Sequence, residues 1–258
     1  MIRVAVAGAR GRMGRLVIDG VLKAEDMELV LALDVVGVGE SVCEGVKVSD
    51  GADISNLLPR MKPDVLIDFT RADAAIKNVA AAALSGVAVV VGTTGFTEEQ
   101  KEQLTELVEG RVPCILSPNF SIGVNAFFRL VEVAARLLSA YDVEIVEAHH
   151  RGKRDAPSGT AKRLAEIVSE VLGGRKLVYG REGISPRGDE IGVHAIRGGD
   201  IVGDHTVLFA GDGDRIELRH QAHSRSTFAA GAVAAARWIV SQPPGMHTMD
   251  EFLSSLAG

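Results

Sequence analysis

Two adjacent imidazoles, followed closely by three cations, mark the stretch of this chain best suited to chemistry. His149, His150, Arg151, Lys153 and Arg154 meet no acid until Asp155, and Ala156, Pro157, Ser158, Gly159 and Thr160 follow directly. An imidazole, with an unperturbed pKa of about 6.5, and a nearby ammonium are proton donors suited to neutral pH. The surrounding cations would neutralise and orient an anion such as a carboxylate. Ser158 or Thr160 is a natural N-cap, and the amides of Gly159 and Thr160 would add donors and a positive dipole end. Successive strand residues point to opposite faces, so His149 and His150 serve one site only if a strand ends there and turns at Arg151 and Gly152. The same residues would also make a solvated loop, capped in the ordinary way.

A second constellation lies near the start of the chain. Gly8, Ala9, Arg10, Gly11, Arg12, Met13 and Gly14 join a β-branched run at residues 2–7 to a helical pattern at 16–23. Glycines in that context let the backbone turn tightly and approach a pyrophosphate, which then sits on the helix N-terminus. The spacing is GxxGxxG, with Arg10 at the middle glycine position of the usual pattern. Asp34 closes an apolar run at 29–33, where a carboxylate accepts hydrogen bonds from ribose hydroxyls and repels a 2′-phosphate. Val35 and Val36 follow rather than arginine, so NADH is expected to serve at least as well as NADPH. Arg10 and Arg12 are within reach of a 2′-phosphate and keep NADPH open. A strand–helix turn with structural glycines and a surface aspartate would read the same way.

Elements to position these groups are legible in the apolar periodicity. Buried strands are expected at 65–68, 87–91 and 114–116, and helices at 72–84 and 98–108, the pattern of a parallel sheet covered on both faces. The loops Asp68-Phe69-Thr70 and Gly92-Thr93-Thr94-Gly95 would then follow strand carboxyl ends and line the nicotinamide half of a site, or be ordinary polar turns. Beyond residue 121 the pattern changes: a helix at 123–140, a strand at 143–148, a helix at 160–172, and segments at 191–196, 205–209 and 215–220 that look antiparallel. Helical patterns return at 227–240 and 250–256. The expected fold class is α/β: a Rossmann-like doubly wound parallel sheet plus a second α+β domain with a mixed, mostly antiparallel sheet.

Composition narrows the partners. The 258 residues carry 28 Lys plus Arg against 34 Asp plus Glu, a net charge of -6, which argues against bulk binding to nucleic acid. Residues 78–97 form the longest uncharged stretch, but Gly86, Gly92 and Gly95 break it into helix, strand and loop, so no membrane segment is expected. Strand pattern begins directly after Met1, leaving no room for a signal peptide. Cys43 and Cys114 have no CxxC or CxxH spacing, so neither a disulfide framework nor a zinc site is suggested and a reducing cytoplasm is expected.

Taken together, the glycine loop Gly8 to Gly14, Gly92-Thr93-Thr94-Gly95, Ser117-Pro118-Asn119-Phe120-Ser121 and the segment Glu147 to Thr160 closely resemble the 4-hydroxy-tetrahydrodipicolinate reductase (dihydrodipicolinate reductase) family, over essentially the whole chain. The resemblance implies NADH- or NADPH-dependent reduction of 4-hydroxy-tetrahydrodipicolinate, a small dicarboxylate, with loss of water, in diaminopimelate and lysine biosynthesis by a homotetramer. It implies His149 as catalytic acid/base and Lys153 as proton donor, with His150, Gly159 and Thr160 as substrate contacts. Gly8, Ala9, Arg10, Gly11, Arg12, Met13, Asp34, Gly92, Thr93, Thr94, Ser117, Pro118, Asn119 and Phe120 fall at its cofactor site. Residues 1–121 and 226–258 would form the dinucleotide-binding domain, and 122–225 the substrate-binding and oligomerisation domain. The chain departs from the family's usual pattern at Arg10, often glycine, and at Asp34, often glutamate, which leaves cofactor preference open. Glycine loop and Asp34 alone would also suit another amino- or keto-acid dehydrogenase or an NADH-binding sensor. The first does not need the His pair before the Pro-Ser-Gly-Thr helix start, and no helix-turn-helix region or basic tail supports the second.

Overall fold

The computed structural model describes residues 1–257. The chain divides into two compact units, one comprising Met1–Ile122 and the segment from Arg225 onward, the other Gly123–Ser224. The first contains β1 (Ile2–Ala7), α1 (Arg12–Leu22), β2 (Met27–Asp34), β3 (Ser41–Cys43), β4 (Val46–Asp50), α2 (Ile54–Met61), β5 (Val65–Asp68), α3 (Ala72–Ser85), β6 (Ala88–Val91), α4 (Glu98–Val108) and β7 (Pro113–Leu116). α5 (Ile122–Leu137) leads into the second unit, which continues with β8 (Asp142–His149), α6 (Gly159–Val171), β9 (Leu177–Tyr179), β10 (Ile191–Arg197), β11 (Gly203–Ala210) and β12 (Arg215–Ala222). α7 (Ser226–Ile239), β13 (Gly245–His247) and α8 (Met249–Ala257) return to the first.

The first sheet runs β13-β7-β6-β5-β1-β2-β4-β3, parallel throughout except where β3 meets β4. Its central strands are apolar on both faces because helices cover both. Val4, Val6, Val65, Ile67, Ala88 and Val90 join α1, α7 and α8 in one core. Their neighbours Ala5, Ala7, Leu66, Val89 and Val91 join α2, α3 and α4 in the other. This is the period-two alternation of a strand with each face given its own helices. The uncharged stretch at 78–97 is the end of α3, then β6, then loop, and no helix among the described residues is long and apolar enough to cross a membrane.

α7 is what makes the first unit discontinuous in sequence. At Gly231 a side chain would strike the Phe120 carbonyl, so the helix lies directly on the backbone after β7. Arg237 then pairs with Asp26 at 2.5 Å, tying the helix to the loop before β2.

The second sheet runs β12-β11-β8-β10-β9 and packs α5 and α6 on one face. It is mixed, and one strand differs from its sequence expectation. β11 is antiparallel to β8 and to β12, whereas β10 runs parallel to β8 and to β9. The reason is that α6 carries the chain back along the sheet between β8 and β9, and the segment 180–190 carries it back again between β9 and β10; each such crossover delivers a parallel strand.

Candidate active site

The carboxyl edge of the first sheet gathers the residues expected to hold a dinucleotide. Gly8 takes φ +80°, and a Cβ there would run into the Phe69 carbonyl; a Cβ at Gly14 would strike the Gly8 carbonyl. Backbone lies on backbone at both points, which allows the tight turn and brings α1 against β1. Gly11 is the N-cap of α1, with no side-chain cap and no acid in the first turn. This leaves the helix end electrically suited to a pyrophosphate. Asp34 sits beside the loop, its Oδ2 accepting from the Arg10 amide at 2.8 Å and its Oδ1 from the Val35 and Val36 amides at 2.7 and 3.1 Å. The Arg10 guanidinium is ion-paired with Glu40, a residue to which the sequence suggested no role.

Asp68 organises the neighbouring loops. Its carboxylate is fully buried at the end of β5 and accepts from Asn78 Nδ2 at 2.7 Å, Thr93 Oγ1 at 2.7 Å, Thr70 Oγ1 at 2.8 Å and the Thr70 amide at 3.0 Å. The Thr93 hydroxyl is therefore engaged inside the protein, and Thr94 is the exposed member of the pair. Phe69 lies against Gly92, where no side chain would fit, and meets Phe120 edge-on at 6.4 Å. Ser117 and Asn119 close their own turn: Ser117 Oγ donates to the Asn119 carbonyl at 2.9 Å, and Asn119 Oδ1 accepts from the Ser121 amide at 2.9 Å. Pro118 is exposed, while the Phe120 ring is buried in the core, so Phe120 shapes this turn by packing.

In the second unit the imidazole segment is built from the end of β8. Val143, Ile145, Glu147 and His149 are all buried and alternate with less buried neighbours. The first two fill the core under α5 and α6; the last two continue the same face where α6 begins. β8 ends at His149, and the chain turns at Arg151 and Gly152, the Lys153 amide donating to the His150 carbonyl at 3.1 Å. The strand thus ends between the imidazoles, as both need to serve one site. Ser158, rather than Thr160, is the N-cap of α6: its Oγ accepts from the Ala161 amide at 3.2 Å, and Gly159 and Thr160 form the first turn.

Glu147 is the hub here. His149 Nδ1 lies 2.6 Å from Oε2, the Ser158 amide donates to Oε1 at 3.0 Å, and Arg197 grips both oxygens at 2.8 Å. Burial pushes the Glu147 carboxyl up, but Arg197, His149 and the Ser158 amide outweigh it and hold the group below the ordinary glutamate range. Burial lowers His149, and Lys153 and Arg197 add to this, so that the opposing pull of Glu147 does not prevent a net depression. Lys153 Nζ pairs with Asp155 at 2.9 Å. Arg197 and His205 were not anticipated from sequence. The only signal was register: His205 lies opposite Glu147 on β11, and Arg197 beside His149 on β10.

His205 makes the unit acid-sensitive. Its Nε2 is 3.0 Å from Ser158 Oγ, and burial, followed by the nearby His149, depresses its pKa to about 4. Between 6.5 and about 4 the unfolded chain binds the proton that folded His205 refuses, so stability must fall as pH falls through that window and level off below it. The difference is worth at most about 3 kcal/mol. Urea unfolding across this range should show a shallower slope for His205→Gln than for the parent. Equal slopes would remove His205 as the source.

Comparison with known proteins converges on one family. The model for dihydrodipicolinate reductase, N-terminus, matches residues 2–120, and that for dihydrodipicolinate reductase, C-terminus, matches 123–253. The chain is 51% identical over 263 residues to the 4-hydroxy-tetrahydrodipicolinate reductase of Methanococcoides burtonii, covering 99% of this chain and 100% of that one. It is 54% identical over 258 residues to the enzyme of that name from Archaeoglobus fulgidus, covering 98% and 100%. The solved dipicolinate-bound dihydrodipicolinate reductase of Paenisporosarcina sp. TG-14 superposes with a TM-score of 0.82 at 33% identity, covering 96% of this chain and 97% of that one.

Proposed function

Because this chain belongs to the dihydrodipicolinate reductase family, we propose that it reduces 4-hydroxy-tetrahydrodipicolinate to tetrahydrodipicolinate, with His149 and Lys153 handling the proton. One hydride and one proton enter and one water leaves. NADH or NADPH, when bound, supplies the hydride. Hydride addition to a conjugated imine-type system builds electron density that must be protonated, and a positioned imidazole and ammonium do this near neutral pH. His150 and the first turn of α6 at Gly159 and Thr160 take the substrate carboxylates, which the surrounding cations neutralise. The observation that carries the assignment is His149, buried and gripped by Glu147, at the foot of the cationic turn and the start of α6. The solved relative's bound dipicolinate supports a small dicarboxylate as the ligand class.

The test is loss of nicotinamide absorbance on adding the product formed by dihydrodipicolinate synthase from pyruvate and aspartate semialdehyde. Oxidation that needs every component is expected. Full activity of the coupling enzyme with no nicotinamide consumed would overturn the assignment.

On the cofactor side, the residues fit a dinucleotide: a close-packed glycine turn, an uncapped helix start and a carboxylate at the end of β2. Asp34 suits the free ribose hydroxyls of NADH, and Arg10 is the cation for a 2′-phosphate once it leaves Glu40. Glu40→Gln is therefore expected to raise kcat/KM for NADPH relative to NADH by about fivefold, the scale of one exposed ion pair. An unchanged ratio would remove Glu40 from cofactor choice. The homotetramer belongs to the same proposal. Light scattering on the purified protein checks it.

A further inference from the structure

Glu147, Arg197, Ser158 and His205 have no part in the proton transfer above, yet hydrogen bonds join them into one network around His149. Glu147 has no exposure, and Arg197 and the Ser158 amide clamp it. Arg197 is anchored in turn, donating to the carbonyls of Asp155 at 2.6 Å and Ile196 at 2.7 Å. An ionised carboxylate only accepts, so the 2.6 Å contact requires the proton on His149 Nδ1. That assignment follows from the network. It leaves Nε2 as the ring's second working atom.

What surrounds Nε2 is as informative. The register that sets Asp204 opposite Ala148 puts glycine beside His149, and a Cβ at Gly203 would lie 3.0 Å from Nε2. This neighbour on β11 has no side chain to set against that nitrogen. His205 packs edge-on to the His149 ring at 5.2 Å and 74°, itself held through Ser158 Oγ.

We propose that Glu147 is a positioning residue for the reduction: clamped by Arg197 and the Ser158 amide, it locks His149 with one proton on Nδ1, so that Nε2, beside the side-chain-free Gly203, takes a second proton from solvent and gives it to the substrate. The inference rests on His149 being the acid. The charged and titratable groups facing His149 are Glu147 on its own strand, Arg197 from β10, His205 from β11 and Lys153 from the turn. Glu147 alone among them favours the imidazolium. Glu147→Gln therefore destabilises the charged ring and frees its tautomer, while the residues suited to the dinucleotide, in the first unit, are untouched.

The experiment has two arms. In the first, nitrogen-15 spectra of the imidazoles in the intact parent protein at neutral pH should show His149 as the Nδ1–H tautomer; an Nε2–H form or an even mixture overturns the proposal without any variant. In the second, Glu147→Gln, His149→Gln and the double variant are compared. Glu147→Gln should lose about a hundredfold to a thousandfold in kcat with NADH KM unchanged, and the limb of its pH profile set by His149 should move to lower pH. The double variant should be no slower than His149→Gln, because a residue acting through another is not additive with it. A Glu147→Gln protein with lowered Tm but parental kcat and pH profile overturns the proposal, as do losses that multiply in the double variant. Parental turnover in His149→Gln would instead overturn the acid assignment itself.

Discussion

Replacing His149 by Gln is expected to lower kcat by about a hundredfold to ten-thousandfold, the usual worth of a positioned acid–base group. Glutamine keeps an amide that can hydrogen-bond Glu147, so the clamp on β8 survives while the transferable proton does not. Cofactor KM should change little, because the residues suited to the dinucleotide lie in the other unit. Steady-state rates at saturating cofactor, with a melting curve to show that the variant is folded, decide the matter. Turnover within a few-fold of the parent would take the acid role away from His149.

Lys153→Ala should produce a different pattern: a kcat loss of about a hundredfold or more together with an increase of about tenfold or more in substrate KM. In the proposed mechanism the ammonium is both a proton donor and one of the charges that receive a dicarboxylate. It also holds the His149 pKa down, so its removal should move the His149 limb of the pH profile upward, opposite in sign to Glu147→Gln. Stability should hardly change. The ion pair with Asp155 is partly open to solvent, and such pairs contribute about 1 kcal/mol or less. A lower Tm with parental kinetics would reassign Lys153 to holding the turn.

Legibility in the sequence followed the strength of local patterns. The helix expected at 98–108 is α4 to the residue, because Thr97 and Gln100 form a capping box that marks its start. The buried runs of β5 and β6 were legible because parallel strands covered on both faces are continuously apolar. β3, β4, β9 and β13 were not anticipated. Each is five residues or shorter, and none carries an apolar run long enough to read. α2 escaped because it is one short element with Pro59 inside it. The glycine loop was legible as chemistry because glycine is required wherever backbone meets backbone, as at Gly8 and Gly14. Asp68 ended a strand whose other residues are all apolar, and only the folded loops show that Asn78, Thr70 and Thr93 converge on it.

By itself the sequence determined the class of fold, the placing of a capped helix start behind two imidazoles, and a local positive charge within a chain of net charge -6. All of these are properties of neighbours along the chain: periodicity, capping and spacing. Only the tertiary structure decided that β10 runs parallel to β8, that Arg10 is held by Glu40, and that His149 is gripped by a carboxylate which Arg197, distant in sequence, clamps from the next strand. Sheet register brings such partners together, and register is set by packing a whole face against its helices. No spacing within one segment encodes which residue of a distant strand will stand beside it.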